Sequence, residues 1–120
     1  MIKAISNFTK VEFISTFDTE VDKTIFYLGS ITTIQMANIN DMLSRWRVQD
    51  GKMQEIVMMT SQRNYEVVRC GLKGWKNFKD GDKEIVFSEK NIEKIPFQII
   101  NELSDKLFEL NSLSEQETKN

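Results

Sequence analysis

The sequence predicts a small single α+β domain with a mainly antiparallel sheet, a β-hairpin and about three helices. Three observations carry this reading. Ile100, Leu103, Leu107 and Leu110 follow one another at spacings of 3, 4 and 3, the apolar stripe of a helix. Lys23-Thr-Ile-Phe-Tyr-Leu28 is rich in β-branched and aromatic residues and is closed by Gly29-Ser30, a strand with its stop signal. Asp50-Gly51 suits a tight turn, and on the arm before it Trp46 and Val48 share one face while Arg45 and Arg47 take the other.

Taken in order, residues 1–22 are mixed, with Val11, Phe13 and Ile14 marking a short strand or helix. Thr32 or Thr33 caps a helix in which Ile34, Met36, Ile39, Met42 and Leu43 recur at near-helical spacing. Residues 44–59 read as the β-hairpin turning at Asp50-Gly51, with a helix through 53–59 as the rival. Thr60 or Ser61 then caps a second helix carrying Tyr65, Val68 and Leu72, ended by Gly71 and Gly74. Asp80-Gly81-Asp82 turns into a short strand over Glu84–Phe87. Ile95-Pro96 opens the last, amphipathic helix, its apolar face widened by Phe97, Ile99 and Phe108. The domain is expected to span 1–111, with 112–120 a polar C-terminal tail.

Composition narrows the function classes. A chain of 120 residues fits one domain that can bury a core without staples. The net charge of −2 makes the whole molecule a poor polyanion binder, so nucleic-acid binding would need a local patch. Cys70 is the single cysteine, which rules out an intrachain disulfide and points to a reducing compartment. There is no histidine, hence no usual base near neutral pH and no Ser-His or Cys-His nucleophile. The opening MIKAISNFTKVEF lacks the apolar core of a secretory signal, and the longest apolar run, Ile56–Met59, is far short of the roughly 20 residues that span a bilayer. A non-enzymatic protein without cofactor, metal or membrane association is expected.

The most patterned stretch is GLKGWKNFKDGDKEIVF, residues 71–87. Arg69, Lys73, Lys76, Lys79 and Lys83 bracket Trp75 and Phe78, the ingredients of a single-strand-binding loop. Asp80, Asp82 and Glu84 reduce its charge to +2. The plainer reading is a corner, in which two glycines end a helix and the two aromatics fold back to anchor the turn. The same three carboxylates lack the length and glycine placement of an EF-hand loop. Gly71-x-x-Gly74 likewise lacks the remaining residues of a dinucleotide fingerprint or P-loop. Glu102, Asp105 and Glu109 read as a solvated helix face, and Cys70 as an inert core thiol with no base to activate it. Met36, Met42, Met53, Met58 and Met59 crowd the middle of the chain as core filler, or as an adaptable protein-binding face.

The run Val67-Val-Arg-Cys-Gly-Leu-Lys-Gly-Trp-Lys-Asn-Phe-Lys-Asp80 followed by Ile85-Val-Phe87 resembles a pattern in small morphogenesis proteins of tailed bacteriophages. The ending Leu113-Ser-Glu-Gln-Glu-Thr-Lys-Asn120 and the opening Met1-Ile-Lys-Ala-Ile-Ser6, with Phe13–Asp18 and Lys23–Phe26, are similar to the ends of those chains. Residues 32–62 match least. Such proteins are described as tail-assembly-chaperone-like or as minor virion proteins. The resemblance implies binding to other phage head or tail proteins, a possible homo-oligomer in the assembly, and residence in the host cytoplasm with retention in the virion open. It assigns no residue a role. Candidate partner-binding positions are Lys73, Trp75, Lys76 and Phe78 in the corner, and Ile100, Leu103, Leu107 and Leu110 on the last helix. Single-stranded nucleic-acid binding through residues 69–83 is the alternative.

Overall fold

The computed structural model describes residues 10–50 and 53–119, with side chains described for 10–41 and 61–111. Strands β1 (Val11–Phe13) and β2 (Ile25–Leu28) lead into helices α1 (Thr33–Asp50) and α2 (Met53–Gly71). Strands β3 (Leu72–Lys76), β4 (Lys79–Asp80) and β5 (Lys83–Glu84), a short 3₁₀ turn at Lys90–Lys94 and helix α3 (Phe97–Lys119) follow. β1, β2 and β3 form one antiparallel sheet in that order, and β4 and β5 form a separate hairpin. The architecture is α+β with antiparallel sheets.

The sheet's inner face is set by its register. Phe13 and Trp75 both lie opposite Phe26, and Val11 and Leu72 both lie opposite Leu28. Leu72 and Trp75 are an odd number of residues apart, so a regular strand would send them to opposite faces. The ladder pairs Leu28 with Leu72 but Tyr27 with Gly74, leaving Lys73 as an extra residue in β3. That bulge returns both apolar side chains to the core face. Phe26 and Leu28 are buried there with Ile31, Ile39, Val67, Val68, Ile92, Ile95, Ile100, Leu103 and Leu107.

Helix α1 begins with a reciprocal cap. The Gln35 N–H donates to Thr32 Oγ1 at 3.1 Å, and the Thr32 N–H donates to Gln35 Oε1 at 2.9 Å. Of its expected stripe, Ile39 is buried and Met36 packs against the core, while Ile34 points outward at 70% exposure. The side chains of Met42 and Leu43 lie outside the described residues.

The β-hairpin expected over 44–59 is not formed. Residues through Asp50 continue α1, and residues from Met53 begin α2; Gly51 itself lies outside the described residues. Period-2 alternation held over only a few positions, whereas arginine, glutamine, glutamate and methionine across this stretch all favour helix. Asp-Gly is ambiguous, since glycine stops a helix as readily as it turns a hairpin. Thr60 and Ser61 accordingly lie inside α2 rather than at its cap.

Gly71 ends α2 as expected, but Gly74 lies in β3 and Leu72 is a strand residue, not the last member of a helical stripe. The strand expected over Glu84–Phe87 shortens to Lys83–Glu84. Helix α3 runs on through Lys119. Its stripe packs against α2, and the two helices are keyed by a polar network. Asn64 Nδ2 donates to Asn101 Oδ1 at 2.9 Å, and the fully buried Ser104 hydroxyl donates to Asn64 Oδ1 at 3.1 Å. Above them the Arg63 guanidinium stands 4.6 Å from the centre of the Phe108 ring.

Candidate functional site

The corner between β3 and β4 is built around Asn77, the one non-glycine residue with positive φ, +63°, among those described. Asparagine tolerates this left-handed conformation better than most side chains. Its amide donates to the carbonyls of Asp22 and Lys23 at 3.2 and 3.3 Å, and its own carbonyl accepts the Thr24 hydroxyl at 2.8 Å. A turn late in the chain thus clamps a loop some fifty residues earlier. The β4–β5 hairpin starts two residues on and turns through Gly81 at φ +63°, with Lys79 opposite Glu84 and Asp80 opposite Lys83.

Trp75 and Phe78 fix this corner to the body of the domain. The Trp75 indole meets the Phe78 and Phe87 rings edge-on, at 5.0 and 4.9 Å between centroids, and its N–H donates to the Ile85 carbonyl. Phe78 in turn lies 6.1 Å from Phe26. Both are half-buried, with the indole edge already engaged.

The loop held by Asn77 also has its own internal bonds. Asp18 accepts the Glu20 and Thr24 N–H groups on its two carboxylate oxygens. The Lys23 ammonium donates to the Asp18 carbonyl at 2.6 Å. At the loop's start, Thr16 donates from both N–H and hydroxyl to Glu102 Oε2 on α3. Burial alone would push the Glu102 carboxyl up, but hydrogen bonds from Ser15 and Thr16 outweigh it and hold its pKa below the ordinary carboxylate value. Glu102 is therefore a loop anchor and not part of a purely solvated face. Asp105 and Glu109 stay exposed, Glu109 beside Lys106 at 3.4 Å.

Between this loop and the corner opens a groove of about 600 Å³. Phe17, Asp18, Glu20 and Asp22 line one wall, and Asn77, Lys79 and Gly81 the other. Phe26, Phe78 and Ile99 form its apolar base. Phe17 is 57% exposed, and Val21 beside the acidic residues is fully exposed at 99%.

The residues singled out from sequence are distributed unevenly around this groove. Phe78 lines it and Trp75 supports it from behind. Lys73 and Lys76 are exposed on β3, and the Lys73 ammonium donates to the Cys70 carbonyl at 2.9 Å. Ile100, Leu103 and Leu107 are corrected from a partner face to core, at 6%, 0% and 0% exposure. Leu110 packs half-buried against the same core, because the α3 stripe faces α2 and the sheet within its own domain. Arg69 is held by Glu66 at 2.8 Å and Glu89 at 3.3 Å. Cys70 is buried, and burial pushes its thiol up despite the neighbouring Arg69.

Phe17, Glu20 and Asp22 carried no periodicity or motif to mark them. The β1–β2–β3 pairing, with Ile25 opposite Lys76, and the long-range bonds of Asn77 and Glu102 bring them opposite the corner. Among the described residues no cluster of acidic or cysteine side chains could hold a metal ion, and no helix is long and apolar enough to cross a membrane. Compared with family models, curated proteins and solved structures, the chain matches none of them.

Proposed function

We propose that this chain is a non-enzymatic bacteriophage morphogenesis protein that binds other head or tail proteins during virion assembly. The observation that carries the reading is the groove between the 15–24 loop and the corner, where Phe17 stands exposed beside the half-buried Phe78 and Ile99. Large apolar groups exposed beside polar rims are the usual mark of a docking surface. The likeness of residues 67–87 and of both chain ends to phage assembly proteins supplies the biological setting. The protein acts in the host cytoplasm, either as a transient tail chaperone or as a component retained in the particle.

Single-strand binding by residues 69–83 is the weaker reading. Arg69 is already paired, Lys79 and Lys83 lie opposite carboxylates, and the Trp75 edge is hydrogen-bonded. The deciding experiment expresses the chain with its neighbouring head and tail gene products. Co-purification with one of them supports assembly, and saturable, salt-sensitive binding of a single strand without such a partner overturns it. Mass spectrometry of purified particles separates the permanent component from the transient chaperone.

A further inference from the structure

Resting on the docking reading above, we infer that the groove takes an extended segment of a partner protein in which a large apolar side chain is flanked by lysine or arginine. Charge and shape both point to that occupant. Three carboxylates, Asp18, Glu20 and Asp22, line the groove against one ammonium, Lys79. Asp18 is occupied by backbone N–H groups, but no ion pair holds Glu20 or Asp22 among the described residues. Both line the groove and are exposed, so a cationic side chain that enters can meet them.

The half-buried Phe78 and Ile99 and the buried Phe26 supply the apolar lining, and the exposed Phe17 adds to it. A volume of about 600 Å³ admits a few side chains of a chain segment, not a folded domain. A phosphate backbone is repelled by the same carboxylates, so a nucleic acid is the wrong chemistry here. The clamp supports the specificity of the site: Asn77 fixes the loop that carries Glu20 and Asp22, so their spacing is set before a partner arrives.

The test is a fluorescence-anisotropy titration of the full chain with three labelled hexapeptides, alternating arginine and leucine, glutamate and leucine, or arginine and glycine. The arginine–leucine peptide is expected to bind tightest. The Glu20→Lys/Asp22→Lys variant should weaken it about tenfold and shift preference to the glutamate–leucine peptide. Phe17→Ser should weaken both leucine peptides alike. These residues are exposed, and an unchanged thermal midpoint verifies that each variant is folded. No saturable binding, equal binding of the arginine–glycine peptide, an undiminished double variant, or displacement by a single-stranded oligonucleotide would each overturn the proposal. Co-purification with head or tail proteins that survives both variants sinks the groove but not the assembly role. Peptide binding as expected without any such co-purification does the reverse.

Discussion

The indole N–H of Trp75 donates to the carbonyl of Ile85 at 2.7 Å, joining the last regular strand of the sheet to the chain as it leaves the β4–β5 hairpin. The bond explains why Ile85–Phe87 keeps a defined path without strand pairing. Ile85 also donates its own N–H to the Phe78 carbonyl at 2.9 Å, and Phe87 leans edge-on against the same indole. Trp75→Phe keeps an aromatic ring but strands the Ile85 carbonyl, at a cost of about 1 kcal/mol. Trp75→Ala removes the ring as well, and a loss of about 3 kcal/mol is expected. Urea titrations of the two variants followed by circular dichroism would check the order, and equal losses would show that the hydrogen bond contributes nothing.

Asn77 combines a backbone requirement with a side-chain one, and two substitutions separate them. Asn77→Gly adopts φ +63° freely but gives up the bonds to Asp22 and Lys23. Asn77→Ala gives up the bonds and adds left-handed strain, so it should be less stable than the glycine variant by about 1 kcal/mol. Both should release the 18–23 loop, read as faster proteolytic nicking there. Protection equal to the parent chain in the glycine variant would refute the clamp.

The contact between Gly71 and α3 leaves no room for a methyl group. A Cβ at Gly71 would stand 2.5 Å from Leu107 Cδ2 and 3.2 Å from Ile31 Cγ1. Leu107 is fully buried and cannot swing aside into solvent. Gly71→Ala should therefore destabilise by about 1–3 kcal/mol through overpacking. Leu107→Val in the same chain should recover part of that loss, a coupling measurable as a double-mutant cycle. Strictly additive losses would show that the two positions do not meet.

What sequence patterns reveal here is mostly local. The 3-4-3 stripe of α3, a threonine cap at Thr32 and the β-rich run at 23–28 follow from spacing and residue type alone, and the fold has the helix, the cap and a strand over 25–28. Leu72–Lys76 escaped because the Lys73 bulge interrupts the alternation by which a strand is recognised. Residues 44–59 misled because a few alternating positions beside Asp-Gly mimic a hairpin while the residue types favour helix. Asn64, Asn101 and Ser104 look like surface residues until two helices meet over them. The groove is least legible of all, since its lining comes from segments more than fifty residues apart, joined by strand pairing and by the side chain of Asn77.

The Asn64–Ser104 pair makes a stability prediction of its own. Ser104→Ala leaves Asn64 Oδ1 without its donor in a fully buried setting, and a cost of about 1–2 kcal/mol is expected. Adding Asn64→Leu removes the orphaned acceptor, so the double variant should be less destabilised than the sum of the single changes. Denaturant midpoints of the three variants decide it, and simple additivity would rule the network out as a unit.

Glu102 links the loop that walls the groove to solution pH. Burial opposes its ionisation, but the Ser15 and Thr16 bonds prevail, so its folded pKa lies below the ordinary carboxylate value. A group with a depressed folded pKa contributes stability in full above its unfolded pKa and loses it as pH falls through the folded one. The parent chain should therefore be more stable than Glu102→Gln at neutral pH, with the gap closing as pH falls through the ordinary carboxylate range toward the lower folded pKa. Protonation turns Oε2 from a charged into a weaker neutral acceptor of the two Thr16 bonds, so the loop should loosen over the same interval. Hydrogen exchange at the Thr16 amide would report it directly: protection should fall in the parent chain across that acid range and stay flat, at a lower level, in Glu102→Gln. A stability gap that is constant from neutral to acid pH would mean that the carboxylate charge plays no part in holding the loop.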